Sequence, residues 1–160
     1  MYAHILRVTG LDGKGQWRVF LVAGGHGSTH WIIATFYVLV PYIRSDLDLS
    51  YAEVGIFASV FFCSSFVANA GSGALVDMTG RRVFLQTLSL LIGGASLLAL
   101  GAADGVWLII SMLIFIGFTN NLWHPAAISY LSNLYPNNRG FVLSIHTLGA
   151  SLGDMIAPLV

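Results

Sequence analysis

The chain has 160 residues, of which 56% are hydrophobic and only 9% charged, against roughly 25% charged in an ordinary soluble domain. Seven Lys and Arg balance seven Asp and Glu, so no basic surface exists to neutralise phosphates, and nucleic acid is excluded as a partner. A mean hydropathy of +0.79 argues against a soluble monomer, and the single cysteine, Cys63, has no second thiol for a disulfide or a zinc pair.

In chain order, residues 1–18 read as a cytoplasmic tail carrying Arg7, Lys14 and Arg18. Five apolar stretches follow, at 19–43, 54–76, 83–103, 106–131 and 141–160. Each reaches the roughly 20 residues that a helix needs to cross hydrocarbon. All seven bases and six of the seven acids fall outside these stretches, as the cost of unpaired charge in a bilayer demands. The exception is Asp154. Backbone groups in lipid must be bonded within the segment, so runs this long are helices and not barrel strands. The expected fold is therefore all-α, a polytopic transmembrane bundle of five helices at 19–160. The first stretch is too long for the apolar core of a signal peptide and holds the polar insertion Gly-Gly-His-Gly-Ser-Thr-His at 24–30, so it is expected to be retained. Trp17, Tyr42, Tyr51, Trp107, Tyr130 and Tyr135 stand near the ends of the stretches, where interfacial anchors belong.

Arg7, Lys14, Arg18, Arg81, Arg82 and Arg139 fall on one side of the expected topology, and Arg44 alone on the other. The positive-inside rule then puts the N-terminus in the cytoplasm of an inner or plasma membrane.

The loop after the second stretch reads Gly73-Ala-Leu-Val-Asp77-Met-Thr-Gly80-Arg81-Arg82. It resembles the motif that the major facilitator superfamily carries between its second and third helices, at the matching helix number and on the matching side. Met78 stands where the family has a basic residue. A glycine lets helices approach, Gly80 permits a tight reversal, and Asp77 with Arg81 can serve a conformational gate. The resemblance implies a secondary transporter of two six-helix halves that alternate access to the two sides. Five helices make most of one half, so the chain is expected to be a truncated N-terminal part whose C-terminal half is missing. Trp123-His124-Pro125 in the fourth stretch looks like the fosmidomycin-resistance-like branch, proton-driven drug exporters.

In that family architecture the first and fourth helices line the cavity and the third supports them from outside. Here the first stretch holds His26 and His30, and the fourth holds Asn120, Asn121 and His124, each set spaced to share a helix face. Histidine exchanges protons near neutral pH, and an acid in an apolar wall is costly to leave idle. His26, His30, Asn120, Asn121, His124 and Asp154 are thus the expected pathway for a small-molecule substrate and protons, with the lipid bilayer as surrounding partner. Gly149-Ala-Ser-Leu-Gly153 matches the hydrolase Gly-x-Ser-x-Gly pattern only formally. It sits inside a helical run with no strand-to-helix elbow and reads as a helix-packing pair. Gly71, Gly73, Gly93 and Gly94 are taken as packing positions too. No enzymatic activity and no cofactor are expected. Two rival readings stand beside transport of an organic solute: a non-transporting binding or sensor module, and a metal-ion transporter using the intramembrane histidines, with His146 as a further candidate.

Overall fold

A computed structural model describes residues 12–159, all in or between helices. Arg7 and the rest of the tail before Asp12 lie outside the described residues. Helix α1 spans Gly13–Asp46, α2 Tyr51–Thr79, α3 Arg82–Leu100, α4 Val106–Leu134 and α5 Arg139–Ile156. Single 3-10 turns, Pro136–Asn138 and Ala157–Leu159, flank the last.

Local chemistry explains the boundaries. The Asp12 carboxylate accepts from the Gly15 N–H at 2.7 Å, so α1 starts at Gly13, six residues before the charge-free run. Ser50 and Glu53 form a capping box that starts α2. The intervening turn is pinned by the Arg44 guanidinium, 4.2 Å from the Tyr51 ring centre. At the other end of α2, Gly80 takes a left-handed φ of 62° and reverses the chain into α3.

Among the described residues, four segments are both long and apolar enough to cross a membrane: Tyr51–Thr79, Arg82–Leu100, Val106–Leu134 and Pro136–Leu159. α1 has the length, but Gly24 to His30 and its charged ends dilute its apolar character. The expectation was of five stretches each long enough to span, and α1 meets it in length but falls short in apolar character. His26 and Thr29 turn inward and are buried, so α1 owes its place to its neighbours more than to lipid.

α1 packs chiefly on α5, while α2 and α3 flank α4. Lesser contacts of α1 with α3 and α4 close the bundle. Lipid tails are as apolar as leucine, so close approach and dispersion hold such helices together. The α1–α5 crossing shows it: a β-carbon on Gly149 or Gly153 would run into the backbone carbonyl of Ala23 or Gly27. Gly93 likewise seats Thr119 and Ile32, and Gly117 lies against the backbone of Phe61. Gly71, Gly73 and Gly94, by contrast, face open space among the described residues, which corrects the expectation that they pack helices together.

Two apolar clusters bracket the bundle lengthwise. Val19, Val22, Trp123, Ala127, Leu131 and Val142 form one, and Phe36, Leu49, Phe57, Leu100, Ile109 and Leu113 the other. Large side chains such as Phe62, Phe66, Leu91, Leu98 and Trp107 point outward all round. An apolar exterior on that scale is untenable in water and is the surface a bilayer requires.

Candidate functional site

Between the two apolar clusters lies a polar layer built by α1, α4 and α5. His26 comes from α1 and is buried, as is His146 from α5. His30 from α1 and His124 from α4 are half-buried, and Asp154 from α5 is exposed. The α1–α5 glycine crossing puts them within reach, because Gly27 sits between His26 and Ser28 and is pressed on Gly149.

The hydrogen bonds assign the ring protons. His26 Nδ1 faces the His146 carbonyl at 2.8 Å, and His124 Nδ1 faces the Asn120 carbonyl at 2.7 Å. A carbonyl only accepts, so both Nδ1 atoms carry the hydrogen and donate. In the neutral rings both Nε2 atoms are then lone-pair acceptors, yet they lie 3.1 Å from each other. Two acceptors at that separation call for a positive charge between them. His30 Nδ1 is 3.1 Å from Asp154 Oδ2 and 3.2 Å from Oδ1, an ion pair when the ring is protonated. The rings are in contact throughout. His26 stacks on His146 at a centroid distance of 3.8 Å, and meets His30 and His124 edge-on at 4.8 and 4.9 Å. One ring nitrogen from each of His26, His30 and His124 lies within 4.8 Å of the other two.

Four of the six expected pathway residues thus meet. Asn120 takes part through its backbone carbonyl, and its side-chain Oδ1 is buried without a partner. Asn121 stays apart, its amide turned back to the Gly117 carbonyl at 3.5 Å. His146 joins by ring stacking and carbonyl, its Nε2 buried and unpartnered. The sequence offered it as a further metal-ligand candidate but not as part of the proton and substrate pathway. Trp123, buried against Gly25, was not foreseen as part of the wall.

The expected gate residues lie apart, at the α2–α3 turn. Asp77 is exposed, and no side-chain partner is found for it among the described residues. Arg82, rather than Arg81, reaches across to α4, its Nε donating to Ser129 Oγ at 2.6 Å. On the α3–α4 face, Ser89 Oγ donates to the Thr119 carbonyl at 2.6 Å, so the polar residues of α3 bind the bundle together. A groove of about 590 Å3 lies away from the histidines. It runs along the outer α1–α5 face, walled by Phe20, Trp31, Leu148 and Leu152 over Gly27 and Gly153.

An apolar-coated helical bundle with a layer of histidines in its interior has the architecture of an integral membrane protein. The sequence profile of the Major Facilitator Superfamily matches residues 20–160, and the chain belongs to that family. It is 28% identical over 123 residues to the quinolone resistance protein NorA of Staphylococcus aureus, covering 76% of this chain and 29% of that protein. It is 22% identical over 127 residues to the phosphoglycerate transporter protein of Salmonella typhimurium, covering 78% and 27%. A third relative is facilitated glucose transporter member 10 of solute carrier family 2 from Xenopus laevis, 22% identical over 116 residues, 72% of this chain and 21% of that protein. The chain spans less than a third of the length of these relatives. No solved structure gives a significant match.

Proposed function

We propose that this chain is the N-terminal part of a secondary transporter that exports a small solute across the plasma membrane by alternating access, in exchange for protons. The observation that supports this reading is the ladder of titratable groups from Asp154 at the surface of the bundle through His30 to the buried His26 and half-buried His124. A proton placed on either facing Nε2 turns a repulsive contact into an N–H···N bond, and Asp154 can pass protons to and from His30. Membership of the family supplies the frame, and the relatives named for quinolone resistance and phosphoglycerate transport support a small-molecule cargo. Under this reading the N-terminus is cytoplasmic, and a C-terminal half completes the transporter. The residues Trp123-His124-Pro125 support placement in the fosmidomycin-resistance-like branch.

The test is flux in proteoliposomes under an imposed pH gradient, with a fluoroquinolone and a panel of organic anions and sugars as probes. Flux that follows the gradient in the wild type and vanishes in Asp154→Asn and His124→Asn, with insertion intact, is the expected result. Wild-type flux in both variants removes the proton assignment.

A further inference from the structure

We propose that His26, His30 and His124 form a binding site for one borderline divalent transition-metal ion of the zinc, cobalt and nickel class. Three observations meet here. The first is convergence: one nitrogen from each ring lies within 4.8 Å of the others, contributed by two helices and not by a single flexible loop. The second is spacing. Two imidazole nitrogens bound to one tetrahedral ion at about 2.05 Å sit about 3.4 Å apart. His26 Nε2 and His124 Nε2 are 3.1 Å apart, so a small rotation of either ring admits the ion between them.

The third is the outer shell. Metal-binding histidines donate their remaining N–H to a carbonyl or carboxylate, which fixes the tautomer and aims the other nitrogen at the ion. All three rings have that support: His26 from the His146 carbonyl, His124 from the Asn120 carbonyl and His30 from the Asp154 carboxylate. Helix packing alone accounts for a buried histidine with one satisfied nitrogen. It does not account for three rings that each hold Nδ1 on an oxygen acceptor while each brings a nitrogen within 4.8 Å of the other two.

Imidazole donors with no thiolate select zinc, nickel and cobalt over magnesium and calcium, which take oxygen. Three nitrogens leave a fourth tetrahedral position open to water or to a donor atom of a solute. The proposal rests on the transport reading only in taking the layer to be reachable from the translocation pathway.

Cobalt is the probe, since a tetrahedral site gives it a visible d–d absorption. The protein in lipid nanodiscs, at constant pH and without solute or gradient, is titrated with Co2+ and, by calorimetry, with Zn2+ and Mg2+. One Co2+ or Zn2+ per chain and no Mg2+ are expected. His124→Ala and His30→Ala, at half-buried positions that tolerate truncation, weaken binding at least about tenfold. Asn121→Ala, at a residue whose amide turns away to the Gly117 carbonyl, leaves affinity within about threefold of wild type. Absence of a saturable band, or affinity unchanged in both truncations, overturns the site. Flux measured in chelator-treated vesicles separates the two readings. Metal-free flux with no metal binding defeats this proposal alone, and metal binding without flux defeats the transport reading alone.

Discussion

His30 on α1 and Asp154 on α5, 124 residues apart in sequence, hold each other through a contact of 3.1 Å between Nδ1 and Oδ2. Neither residue is fully buried, with side chains 29% and 56% exposed. The pair is the outermost member of the polar layer, so a change here acts on ions entering from outside before it acts on packing.

Asp154→Asn keeps the size and a hydrogen bond to His30 while removing the charge. The expected outcome is at least a tenfold loss of gradient-driven flux with little change in thermal midpoint, because exposed pairs contribute about 0–1 kcal/mol. His26→Asn differs in kind. It empties a buried position stacked on His146 and bonded to its carbonyl, so both flux and midpoint fall. Fluorescence-detected gel filtration over a heating series, run beside the flux assay, separates the two signatures. A loss of stability in Asp154→Asn as large as in His26→Asn contradicts the division between surface carrier and buried pair.

How much of this was readable beforehand follows from the range of the interactions. The helices were legible because the bilayer imposes a local rule, some twenty apolar residues with little or no charge, and the segments of α2 to α5 follow it, with Asp154 the one charge inside the apolar stretches. Their ends were less so. Lys14, Arg18 and Arg44 lie inside α1, since long basic side chains reach the interface from within a helix. α1 itself reads as marginal because its polar residues answer to partners on α4 and α5. The site was half legible. His26, His30 and His124 announce themselves by type and spacing, but that His26 finds the His146 carbonyl depends on a helix crossing set by Gly149 and Gly153. For Asn121, periodicity placed the residue on a shared face, and its own amide turned away to the backbone four residues back.

The glycine crossing makes a prediction with a built-in contrast. Gly149→Val adds atoms where the backbone carbonyl of Ala23 already sits, and overpacking of this kind costs typically 1–3 kcal/mol. Gly71→Ala adds a methyl to open space in the middle of α2 and improves helix propensity by up to about 1 kcal/mol. Thermal midpoints in one detergent should therefore move in opposite directions. Equal shifts for the two substitutions would mean that α1 and α5 do not approach as described.

The start of α2 responds to acid. The Glu53 carboxylate accepts from the Ser50 backbone N–H at 2.8 Å and from its hydroxyl at 2.7 Å, and these bonds hold its pKa below the ordinary carboxylate value. A group depressed on folding stabilises the native state above its unfolded pKa, near 4.3, and that contribution disappears as pH falls through the lower folded value. Ser50→Ala should lower the thermal midpoint by about 2–4 °C at pH 7. The difference between variant and wild type should shrink on acidification below about pH 4.3. A gap that is constant from pH 7 to pH 3 would count against the capping box.

Asp77 and Gly80 occupy one turn and are expected to act differently. Gly80 has φ 62°, where a β-carbon costs roughly 1–2 kcal/mol, so Gly80→Ala destabilises the bundle. Asp77 is exposed, so Asp77→Asn leaves the midpoint within about 0.5 kcal/mol of wild type. Its effect should fall on motion. An exposed acid with no side-chain partner among the described residues is free to engage a group that approaches in only one of the two access states, and differential contact of this kind is what sets an exchange equilibrium. Single-molecule energy transfer between dyes on the α2–α3 turn and on the C-terminal half proposed above would report the exchange rate directly. Slowed exchange in Asp77→Asn at unchanged stability is the expected outcome, and wild-type rates would remove the turn from the gating machinery.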